Sequence, residues 1–144
     1  MSKATQAVVS KKNPFWIPKN RYYELKYFCL QFWEWQKRRC QLDGLATREN
    51  REPTEPEAIE RAELDIKIKM ILDCLDAVTK EMSPDYRGGA RVVYHEPLYS
   101  ALLTGITKGK SYDTMATTKV MPVGRDAYYV VYRKFFKLLD SARN

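Results

Sequence analysis

Residues 54–82 constrain this chain more than any other stretch. Thr54-Glu55-Pro56-Glu57 supplies a threonine able to cap, a proline inside the first turn and a glutamate three residues after the cap, which together mark the start of a helix. Leu64, Ile68, Ile71, Leu75, Val78 and Met82 then recur at steps of four, three, four, three and four. Only a long α-helix places such a series on one side. The seam spans under three heptads, so it does not demand a long coiled coil. It does demand an apolar partner. That partner is either another helix of the same chain or the same seam in a homodimer, and intrachain packing is the simpler arrangement.

Residues 19–41 are the natural partner. After Asn13-Pro14-Phe15-Trp16-Ile17-Pro18, an extended segment pinned by two prolines, the Pro18-Lys19-Asn20 turn starts a helix expected to run to about Gln41. Tyr22, Leu25, Cys29, Phe32 and Gln36 form one row, and Tyr23, Phe28, Leu30 and Trp35 widen the apolar surface. A helix apolar on more than one side is central to a core or covered by a second chain. Lys37-Arg38-Arg39 opposes the negative end of its dipole. Residues 41–53, polar and containing Asp43-Gly44, read as a loop.

Beyond the turn-rich 83–90, Arg91-Val92-Val93-Tyr94-His95 reads as a brief strand or extended connector. A helix is then expected from Glu96 to Thr107, with Pro97 in its first turn. Lys108-Gly109-Lys110 breaks it, Ser111 caps a short helix from Tyr112 to about Lys119, and Val120-Met121-Pro122-Val123-Gly124 turns the chain into a last helix from Arg125 to about Ala142. On that helix Tyr128, Val131, Tyr132, Phe135, Leu138 and Leu139 form an apolar stripe, opposite Asp126, Val130, Arg133 and Lys137. The expected fold is all-α, a helical bundle with a C-terminal helix-turn-helix. Residues 1–13 form a flexible tail, 14–95 a helical hairpin core with long helices at about 19–41 and 55–82, and 96–144 the helix-turn-helix.

Charge is distributed unevenly. Residues 1–53 carry eleven Lys/Arg against five Asp/Glu, residues 54–83 four against eight, and residues 105–144 eight against three, within a net charge of +7. Basic ends around an acidic middle suit a nucleic-acid partner. No apolar run approaches the roughly 18 residues of a membrane span, and no signal-peptide stretch opens the chain, so a cytoplasmic protein with no membrane partner is expected. Cys29, Cys40 and Cys74 are widely spaced and His95 stands alone, which gives no metal-site spacing. Neither a nucleophile motif nor a phosphate-binding glycine loop is present, so no enzyme activity, catalytic residue, metal or cofactor is expected.

A short helix, a turn and a longer helix with a basic outer face is the layout of a helix-turn-helix DNA reader. In that reading Gly124, Arg125, Asp126 and Tyr129 enter the major groove, with Arg125 bidentate to a guanine edge. Lys108, Lys110, Ser111, Lys119, Arg133 and Lys134 contact phosphate. The bland alternative is a helical hairpin with a solvated lysine face.

Ile17-Pro18-Lys19-Asn20-Arg21-Tyr22-Tyr23-Glu24-Leu25-Lys26-Tyr27-Phe28-Cys29-Leu30-Gln31 resembles the opening of small phage and prophage proteins of Firmicutes, clostridial relatives especially. The stretches from Ser111-Tyr112 through Val120-Met121-Pro122-Val123-Gly124-Arg125-Asp126-Ala127-Tyr128-Tyr129, and Tyr132-Arg133-Lys134-Phe135-Phe136, are similar to the ends of those proteins and to the DNA-binding part of phage late-gene, sigma-like regulators. The two blocks cover about a third of the chain. The family brings no assigned chemistry. The resemblance implies a phage or prophage origin in a bacterial host cell and a DNA-binding end. The chain departs from these relatives in having no proline near Phe32-Trp33.

Two rival readings belong to other classes. A phage inhibitor of a host RNA polymerase or defence nuclease (an anti-CRISPR protein, for example) would present Glu55, Glu57, Glu60, Glu63, Asp65 and Asp73 to a basic channel, with Phe32, Trp33 and Trp35 as anchor. A DNA-packaging subunit would use a helix-turn-helix within a ring.

Overall fold

The computed structural model describes residues 14–81 and 91–144. The expected tail at 1–13, the turn at 83–90, Met82 of the seam and the side chain of His95 lie outside the described residues. Six helices follow one another among the described residues: α1 Lys19–Leu30, α2 Phe32–Arg48, α3 Glu55–Glu81, α4 Arg91–Lys108, α5 Tyr112–Ala116 and α6 Arg125–Ala142. No strand occurs among the described residues, and the fold is all-α.

The start of α3 is a reciprocal cap. The Glu57 N–H donates to Thr54 Oγ1 at 3.3 Å, and the Thr54 N–H donates to Glu57 Oε1 at 2.8 Å, so each residue satisfies a backbone donor the helix end leaves over. Leu64, Ile68, Ile71, Leu75 and Val78 are all buried. The helices that cover α3 are α2, α4 and α6 of the same chain.

The first helical segment differs from its expected form in two ways. It is divided at Gln31. There the backbone N–H bonds to the Phe28 carbonyl at 3.3 Å instead of the Tyr27 carbonyl, which accepts from the Gln31 side-chain amide at 3.2 Å. A side chain inserted into the hydrogen-bond ladder breaks a helix without proline. Helix then continues past Gln41 to Arg48, where a loop was expected. Leu42 and Ala46 are buried, and burying a leucine is worth about 1.5–3 kcal/mol. That exceeds the roughly 1 kcal/mol cost of Gly44 within the helix. Asn50, just beyond the end of the helix, has a φ of 49° that lets the Arg51 N–H reach the Ala46 carbonyl at 3.1 Å and close it.

The helix carrying Pro97 begins at Arg91 rather than Glu96, so Pro97 lies inside α4 and Val92-Val93 are helical. Proline removes its own N–H and crowds the carbonyl four residues back, but it does not forbid helix upstream. The β preference of two valines is weak against such continuity.

The last helix is more deeply embedded than its sequence stripe suggests. Tyr128, Tyr129, Val131, Tyr132, Phe135, Phe136 and Leu139 are buried, whereas Leu138 is 39% exposed. Helix α6 packs against α3, α1 and α5, so its buried face is wider than one stripe and displaced toward Tyr129 and Phe136. Arg21 of α1 donates from Nε to Asp140 Oδ1 at 2.6 Å and closes the far end of this packing.

Candidate nucleic-acid interface

The basic corner is assembled from the end of α4, all of α5 and the start of α6. Gly109, at φ 69°, ends α4 and lets the Lys110 N–H cap the Gly105 carbonyl at 3.1 Å. Ser111 caps α5 as expected: its Oγ accepts from the Thr114 N–H at 3.2 Å and donates to Thr114 Oγ1 at 2.9 Å. Three contacts tie the connection 117–124 and α6 to α5. The Tyr112 hydroxyl donates to the Val123 carbonyl at 2.8 Å, the Tyr112 N–H donates to the Tyr129 hydroxyl at 3.3 Å, and Arg125 Nη2 lies 3.5 Å from Asp113 Oδ2.

The structure brings some of the expected contact residues together and separates others. Lys108, Lys110, Lys119, Gly124, Arg125 and Asp126 are all exposed along this corner. Lys108 Nζ stands 5.3 Å from the Trp33 ring, and Trp33 Nε1 donates to Thr107 Oγ1 at 2.9 Å, which gives that lysine a fixed aromatic floor. Arg133 and Lys134 lie farther along α6, Arg133 eight residues beyond Arg125 and thus about 12 Å away. Both are half-buried, Lys134 Nζ 5.6 Å from the Phe15 ring. Ser111 is exposed, with its hydroxyl engaged in the cap.

One expected contact is overturned. Tyr129 is 3% exposed, and its hydroxyl accepts a backbone N–H from α5. A side chain packed in this way supports the corner from within and cannot reach a base edge. The helical-wheel stripe omitted Tyr129, and only the packing of α5 over it decides the matter.

Ion pairing distinguishes the corner from the acidic helix. On α3, Glu57 pairs with Arg51 at 2.7 Å, Glu60 with Arg38 at 2.7 Å, Asp65 with Arg39 at 3.0 Å and with Arg61 at 2.5 Å, and Asp73 with Lys69 at 2.8 Å. Arg51 hydrogen-bonding holds the Glu57 carboxyl at about 2, and Arg38 lowers that of Glu60. By contrast Lys108, Lys110 and Lys119 make no ion pair among the described residues. The pairs four residues apart were readable in the sequence. The pairs between α2 and α3 depend on the tertiary fold.

No group of three or more His, Cys, Asp or Glu side chains placed to hold a metal occurs among the described residues. No helix among them is long and apolar enough to cross a membrane. No family model, characterised protein or solved structure matches the chain.

Proposed function

We propose that this is a phage-encoded DNA-binding protein, a transcription regulator acting in the cytoplasm of a bacterial host. It meets duplex DNA with the corner formed by α4, α5 and α6. The observation that carries this reading is the asymmetry of ion pairing. Lys108, Lys110 and Lys119 are exposed without carboxylate partners among the described residues, while the acidic helix has most of its carboxylates already matched by cations of the same chain. Unmatched cations on one corner favour a polyanion. The three lysines contact phosphate. The first turn of α6, with Gly124 at its cap and no side-chain cap bond, presents backbone N–H groups and Arg125 to the groove. Residues 117–124 between α5 and α6 are a longer connection than the usual helix-turn-helix turn of about three or four residues. The reader is therefore a variant in which only the start of α6 approaches bases.

A second reading keeps one specific support. Ile59 and Ile66 are exposed on α3, and Tyr27 and Trp33 are exposed on α1 and α2, as the anchors of a protein-binding inhibitor of a host polymerase or nuclease would be. The deciding experiment is binding to random duplex DNA at two salt concentrations. Three to four phosphate contacts predict a log–log slope of about −3. No binding at low salt overturns the DNA reading and directs attention to a host protein.

A further inference from the structure

Two large aromatic side chains stay outside the core beside the basic corner. Tyr27 is 60% exposed and Trp33 43% exposed. Both rings are held in place. Trp33 Nε1 donates to Thr107 Oγ1, and the buried Thr107 hydroxyl in turn donates to the Leu103 carbonyl. The Tyr27 ring lies nearly parallel to that of Tyr23, at 25° with centroids 6.3 Å apart. One of its faces is turned to Tyr23 and the other to solvent. Each aromatic group also has a cation of its own. Lys108 Nζ is 5.3 Å from the Trp33 ring, and Lys26 Nζ is 6.0 Å from the Tyr23 ring. The two groups are joined across the end of α4, where Leu30 packs at Gly109 and Lys26 lines one cleft with Gly109 and Lys110. Lys26, Lys108 and Lys110 make no ion pair among the described residues, and Glu34 is the one carboxylate in residues 25–42.

We propose that this strip binds single-stranded nucleic acid, with unpaired bases stacked on Tyr27 and Trp33. Every base has a flat face that an aromatic ring can stack on, whatever the sequence. A ring fixed before binding loses little freedom when a base lands on it. The phosphates of the same strand then meet the neighbouring lysines. Lys108 leaves the face of Trp33 as the base arrives and pairs with a phosphate, and Lys26 does the same beside Tyr27. In a duplex the bases are already stacked on one another, so these rings select an unpaired strand. Protein interfaces are depleted of lysine around aromatic anchors, which favours a polyanion as the occupant. The inference rests on the nucleic-acid reading of the corner for its charge alone, since Tyr27, Trp33 and Lys26 take no part in the proposed duplex contacts.

The test is fluorescence anisotropy of the whole chain with labelled strands of about 12 nucleotides. The strands are oligothymidylate as DNA, oligouridylate as RNA, an abasic strand with the same phosphates, and a duplex of equal length. At least one base-bearing strand should bind about tenfold tighter than the abasic strand, and the DNA and RNA arms show which backbone is preferred. Tyr27→Ala and Trp33→Ala should each weaken strand binding about tenfold, whereas Tyr27→Phe, which keeps the ring, should not. None of the three should change duplex binding. Equal affinity for the abasic strand, no strand binding at low salt, unchanged strand affinity in either alanine variant, or a parallel loss on strand and duplex each overturns the proposal. Absence of duplex binding alone refutes the duplex reading, and the comparison of base-bearing with abasic strand still decides this one.

Discussion

The hydroxyls of Tyr22 and Tyr132 lie 2.8 Å apart in the buried core, joining α1 to α6 across 110 positions of sequence. Burial and this bond hold the Tyr132 phenol well above its ordinary pKa. The C-terminal helix is thus part of the core that α1 helps to build. Tyr132→Phe should lower stability by about 1 kcal/mol, read as a shift in a urea unfolding midpoint. Removing residues 125–144 should abolish cooperative unfolding. A truncated chain that still melts in one sharp transition contradicts this.

Gly105 leaves no room for a side chain within α4. A Cβ there overlaps the Tyr128 hydroxyl and comes within 3.1 Å of the Lys110 carbonyl and of Met115 Cε. On helix propensity alone, Gly105→Ala would gain about 1 kcal/mol. The overlap costs about 1–3 kcal/mol and wins, so the substitution should destabilise. Combining it with Tyr128→Phe should recover part of the loss. Thermal melts of the two single variants and the double variant decide the sign.

Acid should loosen the entrance to α3. The Arg51 guanidinium, bonded at 2.7 and 3.0 Å, and then the Thr54 N–H, hold the Glu57 carboxyl at about 2, below its ordinary 4.5. A carboxyl depressed by folding adds stability that is complete above its unfolded value and is lost as pH falls toward the folded one. Stability should therefore decline between about pH 4.5 and pH 2, and Glu57→Gln should flatten that decline. Equal slopes for parent and variant in a pH series of denaturation midpoints would remove Glu57 from the explanation. Thr54→Ala, which takes away the other half of the cap, should cost about 1 kcal/mol.

The three thiols should separate by reactivity. Cys40 is exposed, while Cys29 and Cys74 are buried. Burial pushes Cys29 far above the usual thiol range and Cys74 to about 11. A disulfide reagent should label one thiol quickly in the native protein and all three after unfolding, and Cys40→Ser should eliminate the fast phase. Two fast thiols would indicate that the core around Cys29 and Cys74 opens readily.

On the proposed DNA surface, Lys110→Ala should weaken every duplex alike and reduce the salt slope by about 1. Arg125→Ala should relax sequence preference by about 1–3 kcal/mol. Binding to a selected site and to random duplex separates the two outcomes. Identical effects of the two variants on both duplexes would reduce Arg125 to a phosphate contact.

Much of the architecture is legible in local chemistry. Thr54 and Glu57 announce the start of α3, its seam residues from Leu64 to Val78 are buried, and Gly109 and Ser111 end α4 and begin α5. What escapes local reading depends on neighbours distant in sequence. The break at Gln31 comes from a side-chain amide taking its own helix's carbonyl, which no periodicity reveals. Helix through Gly44 follows from where Leu42 and Ala46 are buried. Tyr129 falls outside the expected apolar stripe, and only the packing of α5 over it shows why. In the candidate site the lysines could be named from their positions, but not the fact that α2 arginines neutralise α3 while the corner is left with its charge.

The position of α6 also dictates an order of events during synthesis. Every surface it covers belongs to a helix that precedes it in the chain. Until α6 emerges, those helices must wait with the apolar seam of α3 partly uncovered, for several seconds at about 5–20 residues per second. Folding of this chain is therefore late and concerted, and the emerging chain is most vulnerable to aggregation just before α6 completes the core.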